Sequence, residues 1–117
     1  MKELSTEQKI MVMRLLLDIV LADGYVDKRE TQFFELLTEQ MGLDNSCRDA
    51  IQQQNPLFAL MEISKLPADK KRDFVRLMGK MIVIDEKIHY KEVEIYNLIR
   101  DVCGIESNMD DILEFDS

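Results

Sequence analysis

Tryptophan is absent from this 117-residue chain, and histidine, cysteine and proline are scarce: one His, two Cys and two Pro. Each scarcity excludes something. The single histidine, His89, rules out any site built on two imidazoles. Cys47 and Cys103 lie far apart, without the paired spacing of a zinc site or the density of a disulfide framework. They read as thiols buried like small hydrophobes in a reducing compartment. Long apolar runs are missing too. The longest, residues 10–22, is broken by Arg14 and Asp18 and is shorter than the roughly 20 residues that cross a bilayer. The first residues mix both signs of charge and show no cleavage signature. The chain therefore reads as soluble and cytoplasmic, without membrane insertion. Basic residues are in deficit, 15 against 23 acidic, for a net charge of −8. Most faces would repel a duplex or an anionic lipid surface, so nucleic acid is not an expected partner.

What is present is helical patterning. Hydrophobic residues make up 46% of the chain, enough to exclude wholesale disorder at this charge. Ser5 followed by Gln8 is a capping-box start. Ile10, Met11, Val12, Leu15, Leu16, Ile19 and Val20 then recur at helical spacing, with Met13, Leu17 and Leu21 widening the stripe. Arg14 and Asp18, four apart, are expected as a solvated strip, and Asp23-Gly24 as the stop. Asp27 with Glu30 caps a second helix carrying Phe33, Phe34, Leu36, Leu37 and Met41, which ends at Gly42. A short helix follows at about residues 46–53. Asn55-Pro56 opens another, because proline is favoured at a first helical position. Pro67 starts a longer one bearing Phe74, Val75, Leu77, Met78, Met81, Ile82 and Ile84. Residues 89–102 form a further helix ending at Gly104, and Ser107 caps a last short one with Ile112, Leu113 and Phe115. No long period-two alternation occurs. The expected class is all-α, about seven helices in a single domain over residues 1–117. The expected core includes Leu16, Ile19, Val20, Phe34, Leu37, Met78, Ile82 and Leu98.

An offset of 62 aligns residues 16–43 with residues 78–105. Asp23 then falls on Asp85, Val26 on Ile88, Glu30 on Glu92, Leu36 on Leu98 and Gly42 on Gly104. Both segments read helix, Asp-x-x-[Val/Ile]-x-x-x-Glu, helix, Gly and an aliphatic residue. They predict two pseudo-symmetric helix–turn–helix halves, neither of which buries its apolar face alone.

These residues carry a resemblance. Asp23-Gly24, Val26, Asp27 and Glu30, then Met41-Gly42-Leu43, then Asp85, Ile88 and Glu92 with Gly104-Ile105, resemble the TerB-like family of tellurite-resistance-associated helical domains. They are also similar to the N-terminal region of a membrane-anchored J-domain co-chaperone. The resemblance spans roughly residues 5–105. It implies an all-α fold in two halves, a stress-response context and a role for the acidic turns in divalent-cation binding. The second turn departs from the first: Asp85-Glu86 replaces Asp-Gly, and His89 stands where Asp27 does.

The acidic turns are the candidate chemistry. Asp23-Gly24-x-Val26-Asp27-x-x-Glu30 matches the second half of an EF-hand loop, whose calcium needs six to eight oxygens. The first half would supply two more acids, but Ile19 and Leu21 occupy those positions, so a full EF-hand is excluded. Two readings stay open. In one, Asp23, Asp27 and Glu30 with Asp85 and Glu92 hold calcium, magnesium or zinc weakly, in a non-enzymatic binding or sensing module. In the other, these carboxylates only cap helices, and the chain is a protein–protein interaction module with an unknown partner. Catalytic signatures are absent: there is no phosphate-binding glycine loop and no Gly-x-Ser-x-Gly elbow. Glu86-x-x-His89 has the spacing of one di-iron ligand pair, but a second His does not exist. Lys70-Lys71-Arg72 reads as the solvated start of a helix. Residues 106–117 are acidic with interleaved apolar residues, and either dock on the body or bind a partner.

Overall fold

A computed structural model describes residues 4–22, 24, 27–84 and 90–104. These residues form six α-helices: α1 Thr6–Val20, α2 Lys28–Gln40, α3 Asn45–Gln53, α4 Pro56–Ser64, α5 Ala68–Val83 and α6 Tyr90–Cys103. No strand occurs among them, so the all-α class is shown. The expected last helix lies outside the described residues.

The helix starts follow from side chains that satisfy orphan amides. Ser5 Oγ accepts from the Gln8 amide at 3.1 Å, and Gln8 Oε1 accepts from the Ser5 amide at 2.9 Å. Asp27, Asp44 and Asn55 each accept from two amides at the starts of α2, α3 and α4. Pro56 stands at the first position of α4, where its missing N–H costs nothing. Gly42 ends α2 with φ +74°. The Leu43 amide bonds to Thr38 O at 3.1 Å and the Gly42 amide to Glu39 O at 3.0 Å, a Schellman pair that turns Leu43 into the core.

α1 is the hub of the packing. It contacts each of the other five helices. Val12, Met13, Leu16 and Ile19 are fully enclosed, because neighbours cover nearly its whole circumference. α5 supplies the second large share of the core through Phe74, Val75, Met78, Met81 and Ile82. All these residues belong to one continuous hydrophobic cluster.

Three expectations change. Arg14 and Asp18 form an ion pair at 3.0 Å, but α3 lies over them and Arg14 Nη1 donates to Gln52 O at 2.9 Å. The strip is therefore largely covered rather than solvated. Leu98 is 59% exposed, not buried, because the inward stripe of α6 runs through Glu92, Tyr96, Ile99 and Cys103. Phe34 is only partly buried. The aligned pair Leu36 and Leu98 sits on the outer side in both helices.

The 62-residue offset recurs in the helix starts. α5 begins 62 residues after α1, and α6 begins 62 residues after α2. Gly104 has φ +69°, close to the value at Gly42.

Candidate cation site at the acidic turns

α2 begins at the first acidic turn, and α6 begins just after the second. Asp27 is the cap residue of α2. Its Oδ1 accepts from the amides of Arg29 at 2.8 Å and Glu30 at 3.3 Å. Arg29 Nε lies 3.8 Å from the same oxygen. One oxygen of Asp27 is thus engaged in capping. Glu30, one turn into α2, is 2% exposed, and Glu92, one turn into α6, is 1% exposed. These are two of the three buried polar or charged side chains among the described residues; the third is Thr38. They occupy matching places under the 62-residue offset. Glutamate almost never goes so deep without compensation, since an ionised carboxylate loses several kcal/mol of hydration. Asp23 and Asp85 lie outside the described residues, as does His89. Among the described residues, no group of three or more His, Cys, Asp or Glu side chains converges as a metal cage would.

Residues 1–53, just under half of the chain, match the family model of the tellurite resistance protein TerB. Over that part the chain is similar to TerB. The TerB match spans α1, the first acidic turn, α2 and α3, and it contains Asp23, Asp27 and Glu30. A crystal structure of a protein of unknown function from Porphyromonas gingivalis W83 is similar over 96% of this chain and 96% of its own, with a TM-score of 0.77 at 16% identity. At that identity the likeness speaks for the fold alone. No curated protein matches.

Outside the acidic turns, an open groove of about 720 Å³ lies between α1, α2 and α5. Among the described residues its cations are Lys9, Arg76 and Lys80, and its one acid is Asp73. Leu37, Met41 and Leu77 give it an apolar floor. Lys9 Nζ donates to Met41 O at 3.0 Å, which ties α1 to the end of α2. The groove was not legible as a site in the sequence. Its one local signal is Asp73, Arg76, Leu77 and Lys80 at helical spacing, a stripe that also suits a plain solvated face.

The two thiols differ. Cys103 is buried, and desolvation pushes its thiol up, with Lys71 pulling weakly the other way. Cys47 is half-buried. A raised thiol is the opposite of an activated nucleophile. Among the described residues no helix is long and apolar enough to cross a membrane.

Proposed function

We propose that this chain is a non-enzymatic, cytoplasmic TerB-like module, a single domain whose acidic turns take up a divalent cation weakly and present the result to a protein partner. The observation that carries the reading is the matched burial of Glu30 and Glu92, each one turn beyond an acidic turn. Asp23, Asp27 and Glu30 would provide oxygens from one turn, and Asp85 and Glu92 from the other. Calcium, magnesium and zinc are the candidate ions. The missing half of an EF-hand loop places the dissociation constant at about 10⁻⁴–10⁻³ M, the weak end for calcium modules. The TerB match supports a stress-response setting.

A second reading has its own support. Asp27 already spends an oxygen on two α2 amides, as a cap would. Leu57, Phe58 and Met61 on α4 are exposed apolar side chains suited to a protein contact. In this reading the carboxylates serve the fold, and partner binding needs no ion.

Calorimetric titration of calcium, magnesium and zinc into the full chain and into Asp23→Asn/Glu30→Gln separates the two. The cation reading expects saturating heat from at least one ion, lost in the double variant. Absence of heat from all three leaves the interaction module.

A further inference from the structure

α2 and α3 follow each other in the chain and each packs on α1, yet they scarcely touch one another. The gap between them is a cleft. Its inner part, about 200 Å³, is floored by Leu17 of α1, Phe34 of α2 and Ile51 of α3. Phe34, expected in the core, is only partly buried where it borders this space. The outer part, about 460 Å³, opens past Leu36 and Leu43. Glu35, Thr38 and Arg48 line both parts. The Thr38 hydroxyl is already engaged, donating to Phe34 O at 2.8 Å. Glu35 on one wall and Arg48 on the other are exposed, and neither side chain makes an ion pair or a hydrogen bond among the described residues. We propose that this cleft binds a free α-amino acid of apolar side chain, with that side chain between Leu17, Phe34 and Ile51, the carboxylate on Arg48 and the ammonium on Glu35.

Size, charge and anchoring of the walls carry the assignment. An apolar cavity of about 150 Å³ holds a benzene ring, so the inner cleft has room for one branched or aromatic side chain. The two charges are of opposite sign and stand on opposite walls, as the two ends of a zwitterion require. Arg48 offers a planar fork of donors that matches a carboxylate with paired bonds. The last residue of a peptide would bring the same carboxylate but an uncharged amide in place of the ammonium, and would leave Glu35 without a cation. A direct Glu35–Arg48 pair across the empty cleft would be an exposed one and therefore weak, and a zwitterion replaces both halves of it at once. The walls are held in place. Arg14 Nη1 donates to Gln52 O at 2.9 Å, which ties α3 to α1 beside the inner cleft. The Leu43 amide donates to Thr38 O at 3.1 Å, which fixes the end of α2 beside the outer one. None of these residues belongs to the acidic turns, so the proposal goes beyond the cation reading and does not depend on it.

Amide NMR of the full chain, titrated with L-leucine and with L-phenylalanine, tests this. At least one of the two should give saturable shifts at the amides of residues 34–38 and 48–52. Leucinamide lacks the carboxylate and N-acetyl-leucine lacks the ammonium. Each should bind about tenfold more weakly than leucine, or worse, the loss expected for one charged hydrogen bond. These arms need no variant. The exposed reversals Arg48→Glu and Glu35→Lys should each weaken binding by a similar factor, while Lys65→Glu binds as the wild type does. No saturable shift from either amino acid at tens of millimolar overturns the proposal. So does N-acetyl-leucine binding as tightly as leucine, which would assign the cleft to the end of a peptide. Shifts that survive both reversals also overturn it, because they would place the ligand elsewhere.

Discussion

Asp18 shows how a single partly buried charge reports its surroundings. Burial raises its pKa above the usual 3.8, and the Arg14 guanidinium, by charge and hydrogen bond, offsets only part of that. A raised carboxyl means that the folded state holds the proton more tightly than the unfolded one. Its stabilising contribution is therefore complete below the unfolded value and is lost as pH rises through the folded one. Asp18→Asn removes this dependence. Urea unfolding against pH should show the wild type losing ground to the variant as pH climbs from about 3.9, then running parallel to it. A constant difference throughout would show that burial does not perturb this group. Burial also ranks the apolar positions. Leu16 and Ile82 are fully enclosed, and truncation of either to Ala should cost about 2–5 kcal/mol. Leu98→Ala, at an exposed site, should stay within about 0.5 kcal/mol. Melts of the three variants check both. The face of α1 was legible because only Arg14 and Asp18 interrupt its apolar residues from Ile10 to Leu21. Leu98 was not, because Val93, Ile95, Leu98 and Ile99 fit more than one helical face. Nor was the depth of Glu30 and Glu92. A glutamate one turn into a helix looks like an amide partner, and only tertiary packing decides whether it goes inward.

At the scale of elements, starts and stops were the most legible features, because their chemistry is local. Ser5, Asp27, Asn55 and Pro56 act on amides within three residues, so reading them needs no knowledge of the fold. The covering of Arg14 and Asp18 was illegible for the converse reason, since the cover is α3, more than 30 residues on. Two substitutions measure the local terms. Asn55→Ala removes the acceptor for the Leu57 and Phe58 amides, bonded at 2.8 and 3.1 Å. A loss of about 0.5–2 kcal/mol is expected by denaturant unfolding. Gly42→Ala meets no atom within 4 Å, so any cost is backbone conformation at φ +74° alone. About 1–2 kcal/mol is expected, and Gly104→Ala should cost a similar amount because its φ is nearly the same. A neutral Gly42→Ala would mean that the turn after α2 relaxes freely.

For the whole molecule, α1–α2 and α5–α6 share helix starts at one offset and present matching residues to one core. Leu16 and Met78 are enclosed, as are Val20 and Ile82, while Leu36 and Leu98 face out. The matched places of Glu30 and Glu92, each one turn beyond an acidic turn, link the fold to the proposed cation. The most direct measurement is the thermal unfolding of the full wild-type chain, freed of ions by chelation and then supplied with calcium, magnesium, manganese or zinc. With a dissociation constant of about 10⁻⁴–10⁻³ M, about 10 mM of the right ion should add about 1.4–2.7 kcal/mol by mass action. The account predicts a melting temperature that climbs with the concentration of at least one ion and no longer does so in Asp23→Asn/Glu30→Gln. Superimposable melts with and without all four ions would contradict it.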